Sequence, residues 1–363
     1  MSYHICLKPL LLLMALICVH LVATAQQQTG LSSYTQAHQL YTAYEASHGN
    51  YIQTPNVRLH YLSWGDRKNP AVVWLHGSLT NAYELMSIAP QLADAGYFVI
   101  AIDYYGHGQT PIPAHEVSLY HAADDVHFLM DELNISKAYI GGFSRGAYIA
   151  TAFYDSYPST VRGLILEEGG TVAFNSYFHT LSDATLDSLI QKQTALFSQS
   201  NPYLQEFDSQ QAAFDFLKDS TDQSSQFELL SWISKNKQGK WIIYKDLEPF
   251  LGLSTAEDFR NTVLRPSKSP MFARSITAID PMIIYRNLSV PVLLMEACSD
   301  TDPLPFDAEN RIFTKQFKPW VTHKRYPGIE HNIHFEQPKL FTKDIIEFLN
   351  QHYHDDQRST RDH

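Results

Sequence analysis

A serine held between glycines, Gly142-Phe143-Ser144-Arg145-Gly146, is the part of this sequence best suited to covalent chemistry. It follows a short apolar run, Lys137 to Gly141, and precedes a stretch containing Ala147, Ala150 and Ala152. A sharp turn from strand into helix holds a serine in a strained backbone conformation, and small flanking residues keep the turn free of clashes. Without chemistry, the same pattern would be a glycine turn carrying an incidental serine. A serine hydroxyl is a weak nucleophile at neutral pH, so chemistry here demands a base within hydrogen-bond reach and an acid to orient that base.

The expected base is His331, in the loop Pro327-Gly328-Ile329-Glu330-His331 between the last apolar strand and the last helix. The chain has 17 histidines, so position distinguishes this one, and His334 is its near competitor. The acid is expected just beyond the apolar run Val290 to Met295. Asp300 and Asp302 both qualify chemically. Counting along the strand favours Asp300, whereas Asp302, followed by Pro303, suits a turn. Glu168, at the end of the run Val161 to Leu166, is the third candidate. A tetrahedral intermediate needs two backbone donors. The N–H of Arg145 is one. The other is expected from the turn His76-Gly77-Ser78-Leu79, where Gly77 allows close approach, the N–H of Ser78 donates, and His76 braces the loop.

These residues must be positioned by a sheet. Strand-like runs occur at 57–64, 71–75, 98–102, 137–141 and 161–166, separated by amphipathic segments at 82–95, 122–133 and 146–157. The pattern resumes at 290–295, with a helix near 307–317, a strand near 321–326 and a helix at 339–349. Short apolar strands alternating with helices predict an α/β fold with a mostly parallel sheet covered on both faces. The stretch 171–288 breaks the alternation, being rich in Ser, Gln and Asp with scattered aromatics such as Phe178, Trp232 and Trp241. It reads as a helical cap inserted after the sixth strand, above the crevice where such folds bind ligands. The expected organisation is a leader at 1–25, core at 26–170, cap at 171–288, core again at 289–352 and a polar tail at 353–363.

The leader is an apolar run, Pro9 to Ala23, behind a single cation, ending in the small-x-small site Ala23-Thr24-Ala25. This predicts cleavage after Ala25 and a secreted or periplasmic protein without stable membrane insertion. A retained anchor is the competing reading, although the run is short for a span of about 20 residues. Cleavage would remove Cys6 and Cys18 and leave Cys298 alone, so no intrachain disulfide is expected. The net charge of −11 and the lack of a basic cluster exclude a nucleic-acid partner. No metal-ligand spacing occurs and no cofactor is expected; the partner is a small-molecule acyl substrate.

Taken together, these motifs resemble the α/β-hydrolase superfamily, in its branch of capped, lipase- and esterase-like serine hydrolases. The resemblance rests on His76-Gly77-Ser78, on Asp103-Tyr104-Tyr105-Gly106-His107-Gly108, on the elbow Gly142 to Gly146, and on Gly328 to His331. It covers nearly the whole chain apart from the leader and the cap. It implies the α/β-hydrolase fold, hydrolysis through an acyl-enzyme on Ser144, His331 as base and Asp300 as acid, the last by its distance from Pro291. Two departures stand out: Ala297 replaces a glycine common before the acid, and Arg145 replaces the neutral residue usual after the serine. The Arg145 charge is suited to an anionic substrate or to pairing with Glu168. A serine at the elbow argues against epoxide hydrolases and haloalkane dehalogenases, which place an aspartate there. An aminopeptidase-like relative would need cap carboxylates to hold an amine, for which Glu228, Asp246, Glu248, Glu257 and Asp258 are available. A ligand-binding protein without catalysis would need a broken triad.

Overall fold

The computed structural model describes residues 33–188, 205–219, 222–243, 247–299 and 306–359, with side chains described through 353. Eight strands form the main sheet. They are β1 (Gly49–Gln53), β2 (Arg58–Trp64), β3 (Ala71–Leu75), β4 (Phe98–Asp103), β5 (Ala138–Phe143), β6 (Val161–Glu167), β9 (Val292–Cys298) and β10 (Val321–Pro327). Their spatial order is β1-β2-β4-β3-β5-β6-β9-β10. Only β1–β2 and β2–β4 pair antiparallel; every pair from β4 to β10 is parallel. The remaining strands, β7 (Ile233–Lys235) and β8 (Trp241–Ile243), make a separate hairpin inside the insertion.

The central strands are buried along their whole length: AVVWL in β3, FVIAID in β4 and AYIGGF in β5. A parallel strand covered on both faces has no solvent side, so period-two alternation disappears and the run becomes continuously apolar. Helices α2 (Leu119–Glu132) and α3 (Arg145–Ser156) pack against each other on one face, while the C-terminal α7 (Pro338–Ser359) covers another part of the sheet. Packing is close enough to dictate residue size. A Cβ on Gly141 of β5 would lie 2.8 Å from the ring of Trp74 on β3.

Two elements at the start of the described chain went unread in the sequence. Helix α1 (Tyr34–His48) buries only Ala37 and Tyr41, and β1 is a half-exposed edge strand. Neither has the apolar content that marks the core. Helix α1 packs against α4 (Gln223–Trp232) of the insertion, with Tyr41 and Tyr44 against Phe227. The insertion does follow β6, the sixth strand, but it carries the β7–β8 hairpin as well as helices. It is tied to the core by Asn81, whose amide donates to Glu228 O at 3.1 Å and Ser231 Oγ at 2.7 Å. Ser224 Oγ in turn donates to Tyr83 O. At the other end, α7 carries the chain to Ser359.

Candidate active site

Ser144 sits at the junction of β5 and α3 with φ 49° and ψ −117°, the left-handed backbone that a sharp strand-to-helix turn imposes. Its flanking glycines are required sterically. A Cβ on Gly142 would lie 2.4 Å from the carbonyl carbon of Gly146, and one on Gly146 would lie 1.9 Å from Leu75 O. The elbow is therefore pressed against the end of β3, which brings Ser144 beside the loop carrying Ser78. Among the described residues the N–H groups of Ser78 and Arg145 donate to no protein acceptor. Ser78 and Ser144 are also each partly exposed within otherwise buried runs. Two unspent donors beside an accessible hydroxyl are what an oxyanion pocket requires.

The Ser78 loop is held rigidly. Leu79 has φ 62°, and Tyr104 Oη donates to Gly77 O at 2.9 Å. The His76 ring stacks on Tyr104 at 4.0 Å, and its Nδ1 lies 2.7 Å from Gly77 O. Burial lowers the His76 pKa to about 4, partly offset by Asp103 and the Gly77 carbonyl. It is neutral at physiological pH, as a brace should be. Asp103 joins the two loops, accepting from Ala82 N at 2.7 Å and Gln109 N at 2.9 Å, with His60 Nδ1 2.6 Å away. A Cβ on Gly108 would sit 2.1 Å from that carboxylate, which accounts for the glycine in Asp-x-x-Gly-x-Gly.

His331 is 8 % exposed. Its ring lies 4.9 Å from that of Phe143, the residue before Ser144. Its Nδ1 is 3.2 Å from Glu168 Oε2. Glu168 follows β6 directly and has φ 53°, so the chain bends as it leaves the sheet and turns this carboxylate towards His331. The other carboxylate oxygen accepts from Ala297 N at 2.5 Å. Burial pushes the Glu168 carboxyl well above the ordinary range, against the Ala297 N–H that lowers it and with Glu167 and Glu296 that raise it. Asp300 and Asp302 lie outside the described residues. The third-ranked acid is thus the one found on His331 among the residues described.

His334 is engaged elsewhere. Its backbone N–H and Nδ1 both meet Glu167, at 2.9 and 2.8 Å, and its Nε2 is 3.9 Å from Glu84. Neither Glu84 nor Glu167 stood out in the sequence. Glu84 is held by Trp74 Nε1 at 2.7 Å and Thr80 Oγ1 at 2.6 Å, and only a tertiary contact could have revealed it. Arg145 does not pair with Glu168; its Nε donates to Ser78 Oγ at 2.9 Å. Of the cap carboxylates, Glu228 is half-buried, and desolvation, with Glu84 and Asp222 nearby, pushes it well above the ordinary range. Glu248 is buried, whereas Glu257 and Asp258 occupy the first turn of a surface helix, and Asp246 lies outside the described residues. Among the described residues, no group of three His, Cys, Asp or Glu side chains could hold a metal ion. No described helix is long and apolar enough to cross a membrane.

The profile of the α/β hydrolase fold matches residues 70–338, and the chain belongs to that family. It is 24% identical over 302 residues to a serine hydrolase-like protein of Dictyostelium discoideum, covering 79% of this chain and 77% of the relative. It is 32% identical over 120 residues to bifunctional epoxide hydrolase 2 of Sus scrofa, covering 32% of this chain and only 21% of that protein. Among solved structures, a carboxylesterase of Nitrososphaera gargenis superposes with a TM-score of 0.57 at 18% identity, covering 84% of this chain and 100% of the other.

Proposed function

We propose that this hydrolase cleaves carboxylic esters or similarly activated acyl bonds through an acyl-enzyme on Ser144, after export from the cytoplasm. The observation that carries the reading is the elbow itself: a serine at φ 49° whose flanking glycines admit no Cβ, beside two unspent backbone donors. A nucleophile in that position has an oxyanion pocket ready for the tetrahedral intermediate. An elbow serine forms an acyl ester, which suits acyl substrates rather than the epoxides of the pig relative. The serine hydrolase-like and carboxylesterase relatives are consistent with this chemistry.

In this reading Ser144 attacks the acyl carbon as His331 takes its proton. A carboxylate on Nδ1 fixes the imidazole and steadies the imidazolium. Glu168 supplies that carboxylate by geometry, and Asp300 is the alternative by sequence spacing. The oxyanion is received by the N–H groups of Ser78 and Arg145. His331 then protonates the leaving group and activates water for deacylation. The test is labelling with a fluorophosphonate alongside hydrolysis of p-nitrophenyl butyrate. We expect the adduct on Ser144, and Ser144→Ala should lose both adduct and turnover, the latter by several orders of magnitude, with an unchanged melting temperature. Retained turnover in that variant would remove Ser144 from the mechanism.

A further inference from the structure

Arg145 is 6 % exposed, yet no carboxylate among the described residues pairs with it. Its Nε is spent on the Ser78 hydroxyl at 2.9 Å, while Nη1 is buried with no hydrogen-bond partner. The Phe272 ring of the insertion helix α5 (Met271–Ser275) lies 5.8 Å from its Cζ. Tyr104 and Tyr148 are the groups that act on its charge, and burial lowers its proton affinity. Three circumstances oppose a cation here. It is desolvated, it has no counter-ion among the described residues, and it occupies the first residue of α3, where the helix dipole already presents positive potential. A residue kept against all three needs an anion that arrives from outside.

The guanidinium also stands beside the proposed reaction centre. It is hydrogen-bonded to the side chain of one expected oxyanion donor, belongs to the residue that supplies the other, and is next in the chain to the nucleophile. The cap bounds it from above through Phe272. Resting on the serine-hydrolase reading above, we infer that Arg145 anchors a carboxylate carried on the acyl part of the substrate, so that anionic acyl esters are the preferred class. The acyl part is favoured over the leaving group because it remains tethered to Ser144 through both chemical steps. A carboxylate meeting the free Nη1 would form a charge-assisted hydrogen bond in a site screened from water, the setting in which such bonds are strongest.

The test compares kcat/KM for p-nitrophenyl hemisuccinate and p-nitrophenyl butyrate in the wild type, Arg145→Met and Arg145→Lys. The wild type should favour the hemisuccinate by about tenfold or more, Arg145→Met should abolish or invert that ratio, and Arg145→Lys should recover part of it. Free succinate, against sodium chloride of equal ionic strength, should slow fluorophosphonate labelling of the wild type and raise its melting temperature. Neither effect should appear in Arg145→Met, which remains informative even if that variant turns over poorly. Equal kcat/KM for the two esters in the wild type, with Ser144 still labelled, would overturn the anchor and leave the hydrolase intact. Parallel loss of both esters in Arg145→Met would likewise overturn it and assign the side chain to support of the oxyanion loop. Absence of labelling and of all ester turnover would overturn both readings together.

Discussion

Two histidine–glutamate pairs pack their rings against Phe143, and they are built from nearly adjacent residues. Glu167 and Glu168 are consecutive, His331 and His334 are three apart, and both rings sit 4.9 Å from the Phe143 ring. Their environments nevertheless differ. Glu167 is still within β6 and fully buried, and it grips His334 through Nδ1 and the backbone N–H, with Glu84 on the far side. Burial alone would lower the His334 pKa, but Glu167 and Glu84 outweigh it and raise it to about 9. A histidine held as a cation cannot take a proton from serine at neutral pH. Glu168 has left the strand and touches its histidine through one oxygen at 3.2 Å. One pair is an ionic clamp with two contacts to its carboxylate; the other is a looser, single-oxygen contact. Proximity to a serine does not define a base, because an imidazole held as a cation has no lone pair to offer.

Exchanging the two histidines is the strongest way to break this contrast. His331→Gln should lower kcat/KM by about a thousandfold or more with little change in melting temperature, since it removes the proposed proton acceptor from a mostly preserved frame. His334→Gln should do the reverse. It leaves Glu167 buried without its cation, which costs on the order of 3 kcal/mol of stability, and activity in the surviving folded enzyme should fall far less. If His334→Gln instead abolished turnover at an unchanged melting temperature, the two roles would be interchanged.

A sharper question is which carboxylate orients His331. Glu168→Gln keeps the shape and the bond to Ala297 N but removes the carboxyl oxygen that faces His331 Nδ1, and it should lower kcat by about a hundredfold, with KM for a small ester little changed. Asp300→Asn should then cost less. The opposite ranking, measured under the same conditions, would make Asp300 the orienting acid and leave Glu168 as a buried carboxyl that only lines the imidazole.

How far the sequence anticipated this site depends on the range of the interactions involved. The elbow was legible because its chemistry is local: glycines at fixed offsets, an apolar run before and small residues after. The His76-Gly77-Ser78 turn and the Asp103 motif were legible for the same reason, and the structure supplies their steric cause in the Gly108 contact with Asp103. The contact of Glu168, third among the candidate acids, with His331 was not legible because its direction depends on a left-handed backbone at a non-glycine residue, which no composition pattern announces. The insertion was visible as a break in alternation, whereas its β7–β8 hairpin, with three residues in each strand, was too short to carry a period. Helix α1 and β1 escaped because their stability comes from tertiary contact with Phe227 and β2 rather than from an apolar stripe. For Arg145, sequence left two outcomes open; the fold closes one, since its bond goes to Ser78.

The smallest expected effect bears on the clamp alone and separates charge from packing. The His334 pKa is raised from 6.5 to about 9 in the folded protein, so its contribution to stability is fully present below pH 6.5 and is lost as pH rises towards and through 9. His60, raised to about 9 by Asp103 and Glu45 against the effect of its burial, behaves in the same sense. The wild type should therefore lose melting temperature between pH 7 and pH 9.5. In His334→Gln the loss should be shallower yet not absent, because His60 still titrates. Measured by thermal unfolding at constant ionic strength, parallel curves for the two proteins would mean that Glu167 holds His334 by shape and hydrogen bonding without fixing its proton. The distinction between the two histidines would then rest on their hydrogen bonds rather than on charge.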